Sequence, residues 1–415
     1  MQAGRALFER FLKRAFTCGE LTVDYADGRR TVFGAPAPGF GKVGIRFNDP
    51  AAPGFIARHP RIGVAEAFMD GRMDVVDGDI RDLVRLARAN NPFETRGEDT
   101  LDDAAPVKLV RSAISALPTI NTPGRARRNV AHHYDLDDRL YDLFLDRDRQ
   151  YSCAYFTDPA NDLDRAQQDK LAHIAAKLAL EPGQRVLDIG CGWGGMALYL
   201  NRVANVDVTG ITLSEEQLGV ARRRAKQAGV ANSVRFELCD FREMRGRFDR
   251  IVSVGMFEHV GTAHYDAFFA AVKRLMKDDG VMLLHTIGRL GGPGKTDSFT
   301  RKYIFPGGYC PALSEIVTAS EPHKLIVADC ETLRLHYAHT IGRWYDRCVA
   351  AREKLVELYD ERFYRMWTFY LAGAETVFEY GSMANYQLQY IKNRRALPIT
   401  RDYMAETEAR YRAIE

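Results

Sequence analysis

The stretch Val186-Leu-Asp-Ile-Gly-Cys-Gly-Trp-Gly-Gly195 decides how this chain is read. Its apolar start suits a strand buried on both faces. The four glycines in the six positions from Gly190 suit a turn where backbone must pass close to a ligand. The apolar run Met196 to Val203 can then open as a helix whose first free N–H groups point back at that turn. Strand, glycine turn and helix start together predict a cradle for a nucleotide-like cofactor.

Gly190, Gly192 and Gly195 satisfy G-x-G-x-x-G, so a dinucleotide is weighed first. Two residues argue against it. Asp188 stands two positions before the first glycine, where dinucleotide sites usually carry an apolar residue. The next predicted strand, Val206 to Ile211, ends in Thr212 and not in the acid that would hold an adenosine ribose. An acid at the place of Asp188 is typical of S-adenosylmethionine enzymes, where it holds the amino-acid end while the thioether chain lies on the glycines. A turn with no ligand would carry the conformational-entropy cost of four glycines and gain nothing from it.

Outward from this turn, strands and helices alternate. Helix Asp164 to Leu178 precedes strand Arg185 to Ile189; helix Met196 to Arg202, strand Val206 to Ile211 and helix Glu215 to Ala228 follow. Strands Val234 to Leu238 and Phe248 to Val254, helix Ala263 to Met276 and strand Gly280 to Thr286 continue the series. The pattern predicts an α/β fold with a doubly wound, mostly parallel, Rossmann-like sheet. Strand character resumes at Val327 to Thr332, and long helices are expected over Tyr337 to Leu358 and Glu361 to Leu388. Aromatic-rich Asp297 to Tyr309 reads as part of an insertion spanning about 290–320.

The first 115 residues form a separate small α+β unit by pattern, joined by a Pro- and Gly-bearing linker at 116–128 to a catalytic unit over 129–415. Leu21 to Tyr25 and Arg29 to Phe33 flank Ala26-Asp27-Gly28 as a hairpin. Near the start, Leu7, Phe8, Phe11, Leu12 and Phe16 share a helical face opposite Arg10, Lys13 and Arg14. Two readings stay open: a helix lying on an anionic membrane, or the first surface helix of the small unit, which pattern alone favours.

A net charge of +3 excludes a strongly basic nucleic-acid binder. No apolar run approaches the roughly 18 residues a membrane span needs, and no secretory leader precedes the chain, so the cytoplasm is the expected location. Seven scattered cysteines without a Cys-x-x-Cys pair fit a reducing compartment and leave no metal-ligand set.

Four further clusters fall at predicted strand ends or on segments capping that edge, where open α/β sheets bind ligands. They are Tyr151-Ser-Cys-Ala-Tyr-Phe156, Met256-Phe-Glu-His-Val-Gly261, Leu284-His-Thr-Ile-Gly288 and His336-Tyr-Ala-His-Thr340. With the glycine turn, over residues 125–400, they resemble the cyclopropane-fatty-acyl-phospholipid synthases and mycolic-acid cyclopropane synthases. The first 110 residues resemble that family's small lipid-associated domain more loosely.

The resemblance implies a class I methyltransferase fold and a sulfonium methyl group attacked by the cis alkene of a phospholipid acyl chain. A proton must then leave for the ring to close, and in this family bound bicarbonate is taken as the base. The residues matching its site are Cys153, Glu258, His285, Ile287 through its backbone, and Tyr337. Each alone reads as a buried thiol, a structural histidine or a helix cap. Carried-over cofactor contacts are Tyr151, Ser152, Asp188, Gly190, Gly192, Gly194, Thr212, Leu213, Gln217, Asp240, Phe241 and Arg242. Phe156, Tyr265, Tyr303, Phe305 and Tyr309 are candidates for an acyl tunnel, or simply core. A cysteine that some relatives carry late in the chain is replaced here by Ala374. The resemblance further implies a homodimer at the inner face of a membrane. The rival products are a methyl- or methylene-branched acyl chain, or a methylated small amine.

Overall fold

A computed structural model describes residues 2–96 and 137–414, which fall into two compact units. The expected linker at 116–128 lies outside the described residues. The units are discontinuous in sequence, unlike the expected division at 115. The first joins the N-terminal segment to Asp297–Ile304 and Ile341–Ser382, and the rest makes the second.

In the first unit, β1 (Gly19–Asp24), β2 (Arg30–Ala35), β3 (Lys42–Phe47) and β4 (Met73–Asp77) form a sheet in the order β2-β1-β3-β4. The hairpin at Asp27-Gly28 joins β1 to β2 as expected. Helix Gln2–Ala15 buries Phe8 and Leu12, and Phe16 just beyond it is buried too, in this unit's own core, which favours the surface-helix reading. Only Leu7 of the apolar face is left largely exposed, at 48 %. The late helix Glu361–Glu379 belongs here because its charges are answered here. Arg81 Nη2 donates to buried Glu375 at 2.7 Å, and Arg365 Nη1 donates to Asp74 at 2.8 Å.

The second unit holds a seven-stranded sheet in the order β10-β11-β9-β8-β5-β6-β7. Its strands are β5 (Arg185–Ile189), β6 (Asp207–Thr212), β7 (Val234–Leu238), β8 (Phe248–Val254), β9 (Met276–Arg289), β10 (Ile326–Leu333) and β11 (Met383–Ile391). The strands β5 to β9 pair in parallel, and β11 enters antiparallel between β9 and β10. Successive residues of β5 serve opposite cores. Val186 packs with the helices Leu163–Lys177 and Gly195–Ala204, whereas Leu187 and Ile189 pack with Tyr265–Leu275. Burial on both faces explains why these strands read as apolar runs rather than alternating ones.

One expectation fails. The helix expected to reach Leu388 stops at Glu379, and Met383–Ile391 is an inner strand of the sheet. Gly381 and Ser382 separate the two elements. The period of two was present, with Ala384, Tyr386, Leu388 and Tyr390 alternating with Asn385, Gln387 and Gln389, but here both faces are buried, the polar one included.

Candidate active site

The chain leaves β5 and β8 in opposite directions across the sheet, and a crevice opens at their carboxyl ends, as this topology requires. The cleft encloses about 1250 Å³, counting its open mouth. Eleven of the twelve expected cofactor residues line it: Tyr151, Ser152, Asp188, Gly190, Gly192, Thr212, Leu213, Gln217, Asp240, Phe241 and Arg242. Gly194 does not, and its neighbour Gly195 does. The role of Gly194 is conformational. It caps helix Gly195–Ala204 at φ +87°, and a Cβ there would lie 2.7 Å from the Phe236 ring. At Gly190, φ +84°, a Cβ would meet Met256 at 2.8 Å, so glycine lets the loops after β5 and β8 close together.

Each polar group of the cleft is set by a neighbour close in sequence. Thr212 donates its hydroxyl to Gln217 Oε1 at 3.0 Å, which leaves the Gln217 amide N–H₂ to donate elsewhere. Arg242 holds both oxygens of Asp240 at 2.8 and 2.6 Å, so this carboxylate is committed to the protein before any adenine reaches it. Asp188 is different. Its Oδ2 is buried with no hydrogen-bond partner among the described residues, and burial raises its pKa to about 7. A group in that condition is fitted to pair with a cation.

The segment Gln150 to Phe156 is tied down by two helices. Gln167 Nε2 donates to the carbonyls of Gln150 and Ser152, and Lys170 Nζ donates to Ser152 Oγ at 2.9 Å. From the helix His336–Ala350, Thr340 Oγ1 accepts from Ala154 N, and His336 Nδ1 accepts from Phe156 N. Lys170 lines the cleft although fully buried, and burial lowers its pKa to about 8. Sequence reading missed it and His264, and gave His259 of the Met256–Gly261 cluster no role, although both histidines also line the cleft. A signal existed: Gln167, Lys170, His173 and Lys177 recur on one face of a helix otherwise rich in alanine and leucine.

None of the five residues assigned to the base lines the cofactor cleft, and a direct hydrogen bond joins two of them, Glu258 and the Ile287 backbone. Glu258 Oε1 accepts the Ile287 N–H at 2.6 Å. Glu258 Oε2 is buried without a partner among the described residues, and burial raises the carboxyl's pKa to about 7 against the pull of the Ile287 N–H. His285, two residues before Ile287 on β9, is buried with each ring nitrogen 3.1 Å from an amide nitrogen, Asn385 Nδ2 at Nε2 and Gln387 Nε2 at Nδ1. Cys153 lies fully buried on the tethered segment, its Sγ 3.3 Å from the Ala154 carbonyl, and burial holds it as a thiol. Cys153 and His285 both feel the charge of Lys170. Tyr337 is buried on the helix that holds the Cys153 segment through Thr340.

Of the tunnel candidates, Tyr265 stacks on Phe257 at 4.2 Å within the core, and Phe156 is buried beside Ala154 and Ala166. Tyr303 belongs to the first unit, where its hydroxyl donates to Glu66. Ala374 also sits in that unit.

Residues 122–388 match the mycolic acid cyclopropane synthetase family, and residues 7–96 match a domain of unknown function. The chain is 40 % identical over 335 residues to the cyclopropane-fatty-acyl-phospholipid synthase of Escherichia coli K12, covering 80 % of this chain and 84 % of that one. It is 35 % identical over 400 residues to a probable fatty acid methyltransferase of Pseudomonas putida, covering 91 % and 94 %. The solved mycolic acid cyclopropane synthase CmaA1, complexed with SAH and CTAB, superposes with a TM-score of 0.60 at 34 % identity, over 64 % of this chain and 97 % of that one. With the glycine cradle, the buried Asp188 and the strand order β10-β11-β9-β8-β5-β6-β7 already in place, these likenesses settle the family. The chain is an S-adenosylmethionine-dependent methyltransferase and belongs to the mycolic acid cyclopropane synthetase family.

Proposed function

We propose that this enzyme adds a methylene bridge across cis double bonds of unsaturated phospholipid acyl chains, with bicarbonate held by Cys153, Glu258, His285, the Ile287 amide and Tyr337. The observation that carries the reading is the buried, partnerless Oε2 of Glu258, fixed in place by the Ile287 N–H on Oε1. Such an oxygen fits the hydroxyl of a small oxyanion better than it fits protein or bulk water. Bound S-adenosylmethionine would supply an electrophilic methyl group and bicarbonate a proton acceptor. Cys153, Tyr337 and His285 would donate to the anion, and Glu258 would orient its proton. A thiol kept protonated by burial suits a donor and not a nucleophile. Asp188 would pair with the ammonium end of the methyl donor, Gln217 would serve the ribose, and Tyr151, Ser152, Leu213, Phe241 and Arg242 would complete the cradle.

The acyl substrate rests on the family and on the names of the relatives. The same reading places the enzyme in the cytoplasm as a homodimer on the inner face of a membrane, with the N-terminal unit as its lipid-associated part. Exposed Leu7, beside exposed Arg10, Lys13 and Arg14, is the patch that suits an anionic surface. The test is incubation with methyl-labelled donor and vesicles of unsaturated phosphatidylglycerol and phosphatidylethanolamine, with and without bicarbonate. Label in a ring-bearing acyl chain, lost when bicarbonate is stripped, is expected. Transfer to a headgroup amine, or a methyl branch as the sole product, overturns the assignment.

A further inference from the structure

Gln387 contacts His285 on one side and Lys177 on the other, and that sandwich has a chemical consequence. Lys177 Nζ lies 2.8 Å from Gln387 Oε1 and also pairs with Glu331. An ammonium group only donates, so the end of the amide facing it must be the oxygen. The opposite end, Nε2, must then be the donor 3.1 Å from His285 Nδ1. A nitrogen that accepts carries no proton. The ring is thereby left as the Nε2–H tautomer, with its one N–H directed away from Gln387. Asn385 stands at that nitrogen, and a half-turn of its amide meets the N–H with oxygen.

The backbone makes the arrangement possible. In the antiparallel register of β9 and β11, Gln387 pairs with His285 and Asn385 with Ile287, so the two amides bracket the imidazole on one face of the sheet. All of these side chains, Lys177 included, are essentially inaccessible to water. Burial first, and then the titratable neighbours Lys170, Lys177 and His173, opposed by Glu331, hold the ring neutral. The row of contacts runs from Glu331 through Lys177 and Gln387 to the ring.

We propose that Lys177 and Gln387 are positioning residues that lock His285 as a neutral Nε2–H donor. This rests on the reading above only in what the donor is for: an imidazole fixed this way can give its one N–H, at Nε2, to Asn385 or to an oxyanion that takes the place of Asn385, and cannot give one at Nδ1. Neither residue touches the reacting atoms.

Ring-¹⁵N-histidine labelling of the full chain with S-adenosylhomocysteine bound tests this, with the His285 signals assigned by the His285→Asn variant. The expected wild-type pattern is an unprotonated, downfield Nδ1 beside a protonated Nε2 through neutral pH. Gln387→Glu keeps the shape but offers an acceptor, so Nδ1 should gain a proton. Lys177→Met frees the amide to turn, so the two tautomers should mix. The half-saturating bicarbonate concentration should rise about tenfold or more in Gln387→Glu, as when partners of an active ligand are changed elsewhere, with donor affinity unmoved. A protonated Nδ1 in the wild type, or a pattern that Gln387→Glu leaves unchanged, overturns the proposal. If the nitrogen pattern holds but bicarbonate has no effect on any variant, the locking stands and the anion reading falls.

Discussion

Asp188 and His285 lie on strands two apart in one sheet, β5 and β9, yet their surroundings are built by opposite means. Around Asp188, partners are neighbours in sequence: Thr212 with Gln217, Asp240 with Arg242, a glycine turn whose shape is its own. The carboxylate itself is left for a ligand. Around His285, partners are 100 and 102 residues away on β11, and the lysine that orients one of them lies 210 residues from it. The first region is a cradle formed by local backbone. The second is a polar core that exists only once the sheet is assembled. The difference implies that damage to one should spare the other.

The largest expected effect is in the second region. Glu258→Gln keeps the bond geometry at Ile287 but removes the carboxylate oxygen that would orient the anion's proton, and turnover should fall by about 10²- to 10⁴-fold, the usual worth of a positioned group in proton transfer. Donor affinity, measured by calorimetry, should stay within about twofold, because the cleft is held by its own residues. Equal losses of both would erase the distinction between the regions. Next in size is Gly194→Ala in the first region. A left-handed φ and a Cβ pressed on Phe236 should cost roughly 1–3 kcal/mol in thermal or denaturant unfolding. Donor affinity should fall with it, while the bicarbonate dependence of residual activity is retained.

The same contrast explains what could be read from the chain alone. The glycine turn, Asp188 and the strands β5 to β9 were legible because each obeys a local rule of burial period or backbone conformation. All but one of the expected cofactor residues then fell in the cleft. Gly194 was misplaced because a motif does not say which glycines face the ligand and which make the bend. Lys170 and Lys177 were passed over as ordinary helix residues, since a lysine inside a helix is usually a solvated one. The strand β11 was read as helix because the helical pattern of Glu361–Glu379 was carried past its end, over the alternation of Ala384, Tyr386, Leu388 and Tyr390 with Asn385, Gln387 and Gln389. That alternation marks a strand but does not say that its polar face meets an imidazole. The motif resemblance supplied His285 and Glu258; no pattern in the sequence supplied their partners. The division at 115 missed Ile341–Ser382 for the same cause, because the ion pairs Arg81–Glu375 and Arg365–Asp74 that join it to the first unit span nearly 300 residues, 294 in the case of Arg81.

The smallest effect, and the finest probe of the comparison, lies in pH. Asp188 and Glu258 are both raised by burial to about 7 from ordinary values of 3.8 and 4.5. Between those limits the folded protein keeps two protons that the unfolded chain has released. Stability of the ligand-free enzyme should therefore fall as pH rises through that window, and level off above it. Asp188→Asn and Glu258→Gln should each flatten part of the slope. Saturating S-adenosylhomocysteine should separate them: its ammonium favours the charged form of Asp188 and removes that share, whereas the Glu258 share persists. Melting temperatures from about pH 5 to about pH 8, for the wild type and both variants with and without ligand, resolve the two contributions. If ligand flattens the Glu258 share as well, the two carboxyls feel one another. The regions would then be a single electrostatic site, and the independence expected of Glu258→Gln would fail with it.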